Sequence, residues 1–367
     1  MTETNGYFQN DNEKEINVLN LQSLEAEAEK IIPKGGFGYI AGGSEDNWTL
    51  KENTEAFNHV QIVPHVLSNV EDPQTDTSIF GINVKTPIMM SPAAAQGLAH
   101  AKGEIDTAAG IAKAGALMSQ STYSSTSIAD TMKAGNGAPQ FFQLYMSKDW
   151  NFNENLLKEA KEAGAKAIIL TSDATVDGYR ESDVVNDFQF PIPMANLTKF
   201  SEGDGKGKGI GEIYAAAAQK IGPDDIKRIK DIAGLPVIVK GVQSPEDALL
   251  AIGAGADGIY VSNHGGRQLN GGPASFDVLS DVAKAVNHRV PIIFDSGIRR
   301  GSHVFKALAS GADLVALARP IIYGLALGGA DGVYSVVEHL NDEFKTTMQL
   351  AGTKTIEDVK NSKLLKK

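Results

Sequence analysis

Eight short apolar runs recur between residues 86 and 320, and each is continuous rather than alternating. They read TPIMMSPA (86–93), ALMSQS (116–121), PQFFQLY (139–145), AIILTSD (167–173), PVIVKG (236–241), GIYVSN (258–263), PIIFDSG (291–297) and LVALARP (314–320). A strand that is apolar throughout must be covered on both faces, as parallel strands are between layers of helix. Amphipathic helical segments separate most of the runs. Glu154–Ala163 and Pro245–Ala254 are examples, the latter stopped by Gly255. Eight such units predict an α/β chain folded as a (β/α)8 TIM barrel. A doubly wound open sheet, the other home of such repeats, usually has fewer strands. The 38 glycines suit a fold with many strand–helix connections, and 7% aromatic content argues against a sandwich or a propeller.

The remaining segments are read as additions to one domain spanning residues 1–367. Residues 1–17 form a polar lead. Leu21, Leu24, Ala28 and Ile31 repeat at helical spacing and predict a short helix ending before Pro33. Lys34–Gly43, KGGFGYIAGG, is expected to be a turn because it is so rich in glycine, and 44–80 a polar helix and connector. After the fourth run, residues 174–222 form a long insertion containing SEGDGKGKGIGE, expected to be a lid or a structureless segment.

The net charge of -11 and a pI near 5.2 leave no basic face for nucleic acid; Lys363 to Lys367 is the main cationic run. With no cysteines, disulfides, thiolate metal sites and thiol nucleophiles are excluded. The polar, acidic start lacks the pattern of a signal peptide, and no uncharged apolar stretch approaches the roughly 20 residues that span a bilayer. The expectation is a cytoplasmic protein with no membrane or nucleic-acid partner and no metal.

In a barrel of this kind the site lies at the C-terminal ends of the strands. Those ends carry Ala93 and Ala94, Ser121, Gln143 and Tyr145, Thr171 and Asp173, Lys240, Ser262 and His264, Asp295 and Gly297, and Arg319. The seventh and eighth ends, DSGIRRG and ALARP, hold glycine turns and arginines where such barrels bind phosphate, and Arg299 and Arg319 add fixed charge there. In SNHGGRQ (262–268), His264 with Arg267 three residues on pairs a proton acceptor with a carboxylate clamp. Asp173 would steady the imidazole across the mouth. Arg180, early in the insertion, is a second candidate for a substrate carboxylate. Lys240 ends an apolar strand and so needs an anionic partner. Tyr39, Tyr123, Tyr145 and Tyr214 lie in loops or at strand ends.

SNHGGRQ, the preceding VKG, the DSGIRRG turn and the TSD strand end resemble the FMN-dependent α-hydroxy-acid oxidases and dehydrogenases over residues 20–365. GGFGYIAGG, SPAAAQGLAH and ALGGADGVYSV are most similar to the members that act on L-lactate. The resemblance implies an FMN enzyme that oxidises a small L-2-hydroxy acid, L-lactate first, with O2 as electron acceptor. It implies that His264 takes the hydroxyl proton while the α-hydrogen leaves as hydride to flavin N5, and that Asp173 supports the imidazolium. Arg180 and Arg267 would hold the carboxylate with Tyr39 and Tyr145, Tyr123 would contact substrate oxygens, and Tyr214 would come from the lid. Lys240 would favour negative charge on the flavin. Ala93, Ala94, Ser121, Gln143, Thr171 and Ser262 would contact the ring or ribityl chain, Asp295 the ribityl hydroxyls, and Gly297, Arg299, Ala318 and Arg319 the phosphate. A homotetramer is the family's common form.

Position 318 departs from the family, where Gly is usual. The extra methyl of Ala318 is expected to shift the phosphate without abolishing binding, because the N–H donor remains. The resemblance also implies an oxidase at Ala94, since the family's oxidases tend to carry Ala rather than Gly near flavin N5. Lactate monooxygenase, a glycolate-type oxidase, an acceptor-linked 2-hydroxy-acid dehydrogenase and, from a different class, an FMN-dependent isomerase are the alternatives.

Overall fold

Parallel pairing closes the eight apolar runs into a ring. The strands are β1 (Ile88–Met90), β2 (Leu117–Ser121), β3 (Gln140–Leu144), β4 (Ile168–Thr171), β5 (Val237–Val242), β6 (Gly258–Val261), β7 (Ile292–Phe294) and β8 (Leu314–Leu317). Each pairs with its neighbours in sequence, and β8 closes on β1 with Ala316 opposite Met89. The open-sheet alternative is thereby excluded. The structure, a computed structural model, describes residues 2–4, 7–201 and 203–366. Met1, Asn5 and Gly6 of the polar lead, Glu202 of the insertion and Lys367 of the basic run lie outside them.

Continuous apolarity follows from burial on both sides. Met89, Leu117, Phe141, Ile169, Ile238, Tyr260, Ile293 and Leu314 fill the barrel interior. Their strand neighbours, such as Ile88, Met118, Phe142 and Ile168, pack with the helical layer instead. A hairpin, Thr77–Ile79 with Ile82–Val84, joins the interior cluster through Ile79, Val84 and Phe80, and Phe80 meets Phe141 edge-on at 6.1 Å between ring centroids. With its N-terminal end plugged in this way, the barrel opens at the C-terminal ends of its strands.

Three N-terminal helices feed that open end. Helix α1 is Leu21–Glu29, α2 is Lys34–Ala41 and α3 is Trp48–Glu55. The α2 segment corrects the expected turn. Its glycines cost helix propensity, yet they are the points of closest approach. A Cβ at Gly36 would collide with the Tyr7 hydroxyl, and one at Gly38 would lie 2.6 Å from the Asn186 amide. Tertiary packing of Tyr39 and Ile40, both buried, outweighs propensity here.

The lead is docked rather than loose. The Tyr7 hydroxyl donates to the Leu98 carbonyl at 2.9 Å, and Gln9 and Asn10 are buried. Residues 174–222 are also more ordered than their composition suggests. They carry helices at Glu181–Val185, Ala195–Phe200 and Ile210–Tyr214 and bury Phe190, Ile192, Met194 and Tyr214. Helix Arg319–Ala351 is long and apolar enough to cross a membrane, but 72% of its apolar window is buried in the fold and Gly328 and Gly329 break it.

Candidate active site

The loop after β6 places His264 at the centre of the mouth, and its backbone is unusual. His264 has φ 60 and Ser296, on the neighbouring loop, φ 86, in the left-handed region that side chains rarely occupy. Two bonds hold this geometry: His264 N–H donates to Ser262 Oγ at 3.0 Å, and Gly265 N–H to Ser296 Oγ at 3.1 Å. The imidazole then reaches Asp173 Oδ1 through Nδ1 at 3.0 Å and the Tyr145 hydroxyl through Nε2 at 3.0 Å.

The electrostatics assign the protons. Burial pushes the His264 pKa down, and the Asp173 charge only partly offsets it, with Lys240 and Arg267 pushing the same way as burial. Burial would raise the Asp173 pKa, but the charges of His264 and Lys240 outweigh it and hold the carboxyl low. A neutral imidazole beside an ionised carboxylate donates from Nδ1. That leaves the Nε2 lone pair facing Tyr145, in the state of a general base.

Around the imidazole stand aromatic rings and guanidinium groups. Tyr123 and Tyr145 stack at 4.8 Å, and Tyr214, from the insertion, lies 5.8 Å from Tyr145. Burial raises the pKa of all three hydroxyls, so they remain donors. Arg267 lies over the Tyr39 ring at 4.8 Å and donates to the carbonyls of Tyr39 at 2.6 Å and Gly42 at 2.8 Å. Arg180 is on the same ring at 5.8 Å, and its Nε and Nη1 have no hydrogen-bond partner.

A polar chain links the strand ends beyond His264. Lys240, buried, donates to Ser262 Oγ at 2.9 Å and lies 3.8 Å from Asp295 Oδ2. Asp295 also accepts from Ser91 at 2.8 Å and from Ser296 at 2.9 Å.

The far end is cationic. Arg319 donates to the carbonyls of Ile40, Gly265 and Gly42, and Arg299 to its own neighbour Ile298. Burial lowers the Arg299 pKa, and burial with the Arg267 charge lowers that of Arg319 to about 9. Among the described residues, Arg180 alone of the four cavity arginines has an acid at salt-bridge distance, Asp183. Glu25 of α1 tempers Arg299 and Arg319 from outside the cavity.

Two partly buried guanidiniums with no acid at salt-bridge distance among the described residues call for an anion. The start of helix Arg319–Ala351, with Ala318 at its N-cap, adds backbone donors. Gly297 has φ 82, and a Cβ there would collide with the Asn53 carbonyl. Ala318 has φ -117, a conformation its methyl tolerates. The donor set therefore fits a phosphate.

One cavity joins these ends. Its wall includes His264, Arg267, Arg180, Tyr39, Tyr123, Tyr145, Tyr214, Ala93, Ala94, Lys240, Asp295, Gly297, Arg299, Ala318 and Arg319. Five predicted residues stand outside the lining. Asp173 bonds His264, and Ser262 accepts from Lys240. Gln143 donates to Thr171 at 2.8 Å, and Ser121 accepts from the Tyr123 amide at 3.2 Å, so this trio braces the strand ends behind the wall.

Sequence reading passed over Ser91, Ile210 and Asn53, and gave Ser296, at the end of the seventh run, no role. Ser91 and Ser296 are polar residues at strand ends and carried the needed signal. Asn53 carried none. It pairs its amide with that of Asn263 at 2.9 and 2.7 Å, while Thr54 donates to the Gly297 carbonyl at 3.2 Å, so α3 joins the two loops. Among the described residues no cluster of His, Asp and Glu could hold a metal ion.

Fold and site define a barrel that presents a phosphate cradle and, in the same cavity, a base beside two guanidiniums. The chain belongs to the FMN-dependent dehydrogenase family, whose model matches residues 28–366. It is 74% identical to the L-lactate oxidase of Lentilactobacillus hilgardii, over 100% of this chain and 99% of that protein. It is 53% identical to the L-lactate oxidase of Lactobacillus jensenii, over 97% of this chain and 88% of that one. A crystal structure of a Pediococcus acidilactici protein named as a lactate oxidase superposes with a TM-score of 0.96 at 70% identity, covering 100% of this chain and 99% of that one.

Proposed function

We propose that this protein oxidises L-lactate to pyruvate and passes the two electrons to O2, giving H2O2. The observation that carries this reading is an imidazole hydrogen-bonded to Asp173, on the wall of the cavity that Arg180 and Arg267 also line. FMN, when bound, supplies the two-electron acceptor that takes the α-hydrogen of the substrate as hydride.

The chain's own residues do the rest. Arg180 and Arg267 hold the carboxylate, assisted by Tyr39 and Tyr145, and Tyr123 contacts the substrate oxygens. The bare N–H groups of Arg180 are free for this contact. His264 Nε2 accepts the hydroxyl proton as the α-C–H bond breaks, and Asp173 stabilises the cation that results. Tyr214 and Ile210 bring the insertion to the cavity wall, where residues 174–222 would act as a lid that excludes water.

Lys240 lends a buried positive charge that favours added electron density on the flavin. Ala93 and Ala94 would flank the ring, with Ser121, Gln143, Thr171 and Ser262 supporting ring and ribityl chain. Asp295 would take the ribityl hydroxyls, and Gly297, Arg299, Ala318 and Arg319 the phosphate. A cytoplasmic homotetramer is the form this reading carries with it, on the family resemblance and the cysteine-free sequence.

The test is an anaerobic spectral titration of the yellow protein with glycolate, L-lactate, D-lactate and mandelate. L-Lactate is expected to bleach the flavin most readily, and aerobic turnover to yield pyruvate with H2O2. Acetate with CO2 would make it a monooxygenase, and no bleaching by any of the acids would end the reading.

A further inference from the structure

Tyr260, on β6, puts a phenol into the barrel interior, where it is fully buried among Met89, Phe141, Ile238 and Ile293. Its hydroxyl reaches Ser91 Oγ, just past the end of β1, at 2.9 Å. Ser91 Oγ in turn reaches Asp295 Oδ2, just past the end of β7, at 2.8 Å. The direction of this chain follows from counting protons. A carboxylate only accepts, and a serine hydroxyl has one proton to give. Ser91 therefore donates to Asp295 and accepts from Tyr260. Burial, and after it the Asp295 charge, push the Tyr260 pKa well up, so the phenol keeps the proton it donates. A hydroxyl that accepts a bond becomes the stronger donor, so the phenol tightens the hold of Ser91 on the carboxylate.

Lys240 faces the same carboxylate oxygen. Its Nζ is 3.8 Å from Asp295 Oδ2, too far for a hydrogen bond, whereas a bonded ammonium and carboxylate approach to about 2.8 Å. Among the described residues Lys240 Nζ bonds Ser262 Oγ instead, at 2.9 Å, and Asp295 is its acid at salt-bridge distance. Asp173 also feels the Lys240 charge. Two serines fix Asp295 in this place, Ser91 at Oδ2 and Ser296 at Oδ1. Without the Ser91 bond, Asp295 can close on Lys240, and its own charge is less shielded. Either change makes negative charge in the cavity harder to accept.

We propose that Tyr260 and Ser91 hold Asp295 off Lys240, so that the buried ammonium keeps its positive charge for the flavin. The proposal rests on the reading of Lys240 as the cation that favours negative charge on the ring. Both are positioning residues that act through Asp295. Ser91 lines the cavity and Tyr260 does not, so a change at Tyr260 isolates the relay from any direct contact with the cofactor. Lys240 also stands over the Tyr260 ring at 5.4 Å, a contact that Tyr260→Phe preserves.

The test titrates FMN-saturated protein with sulfite, which adds to flavin N5 and leaves negative charge on the ring, and measures the flavin midpoint potential. In Ser91→Ala, sulfite is expected to bind about three- to tenfold more weakly. The potential should fall by about 14–30 mV, the same ratio at about 30 mV per tenfold for two electrons. Tyr260→Phe should weaken sulfite binding about two- to threefold and lower the potential in step. Because the two hydroxyls form one chain, the double variant should match Ser91→Ala alone. Unchanged affinity and potential in Tyr260→Phe, tighter sulfite binding, or a double variant equal to the product of the two singles would overturn the proposal. So would a lower melting temperature with no change in potential, the mark of packing alone. Lys240→Met separates the two layers. If it weakens sulfite binding while Ser91→Ala and Tyr260→Phe change nothing, the Lys240 reading stands and the relay falls. If Lys240→Met binds sulfite like the wild type, the Lys240 reading falls and the proposal with it.

Discussion

At one end of the cavity His264 and Asp173 face each other at 3.0 Å, base and acid in balance; at the other, Arg299 and Arg319 are partly buried with no acid at salt-bridge distance among the described residues. On the proposed function, the first end has its charges matched because proton chemistry needs a fixed tautomer and a stabilised cation. The second end, on the same reading, keeps its cations unmatched because each one neutralised by an acid would weaken its hold on a phosphate. Burial and the Arg267 charge press the Arg319 pKa down to about 9. The brace through Asn53 and Thr54 keeps the two loops in register, so the ends differ in charge but share one scaffold.

If the ends divide the labour in this way, substitutions should separate catalysis from cofactor binding. The largest of these effects is expected from Asp173→Asn. FMN should bind as in the wild type, while anaerobic reduction by L-lactate slows by about 10²-fold. The pH profile sharpens the point. His264 works as a base only when neutral, and burial holds its pKa below the ordinary value of about 6.5, so the acid limb should lie below that value. The Asp173 charge raises the His264 pKa, so removing it should move the limb to still lower pH as the maximum falls. A limb that moved up would contradict the pairing. Stopped-flow absorbance across pH measures both.

The opposite pattern is expected from Arg299→Met. Its side chain bonds only its own neighbour's carbonyl, so little else is disturbed. FMN affinity should fall about ten- to hundredfold, the loss of one charged hydrogen-bonding partner. Once saturated with FMN, the variant should be reduced at nearly the wild-type rate. The FMN-free variant should melt no lower than the FMN-free wild type, since a buried unpaired cation has been removed. Fluorescence titration, stopped-flow reduction by L-lactate and melting curves check these three outcomes.

Ala318→Gly should do least. Ala318 already sits at φ -117, so the methyl carries no backbone strain, and FMN affinity should change by less than about twofold. Loss of FMN on gel filtration by the wild type, cured by this substitution, would show that the methyl crowds the phosphate.

The barrel was legible because burial on both faces leaves an unmistakable pattern, and strands such as Ile168–Thr171 and Val237–Val242 lie where continuous apolar runs put them. The α2 helix was not, because its stability comes from close contacts with Tyr7 and Asn186 that are far away in sequence. The insertion hid its order in helices of five or six residues, too short to show a period. Within the mouth, strand ends named candidate residues but not their facing. Gln143 and Thr171 turn to each other behind the wall, while Ser91 reaches Asp295. A period of two makes such facing depend on a single residue of register. Asn53 was invisible, since nothing local marks an amide as the partner of a distant loop.

The most direct trial of the whole account is the rate at which L-lactate reduces FMN-loaded His264→Gln without oxygen. The account predicts a yellow protein with the wild-type affinity for FMN whose reduction is slower by about 10²–10⁴-fold. Reduction at close to the wild-type rate would mean that another group takes the hydroxyl proton, and that the imidazole at the centre of the mouth is not the base.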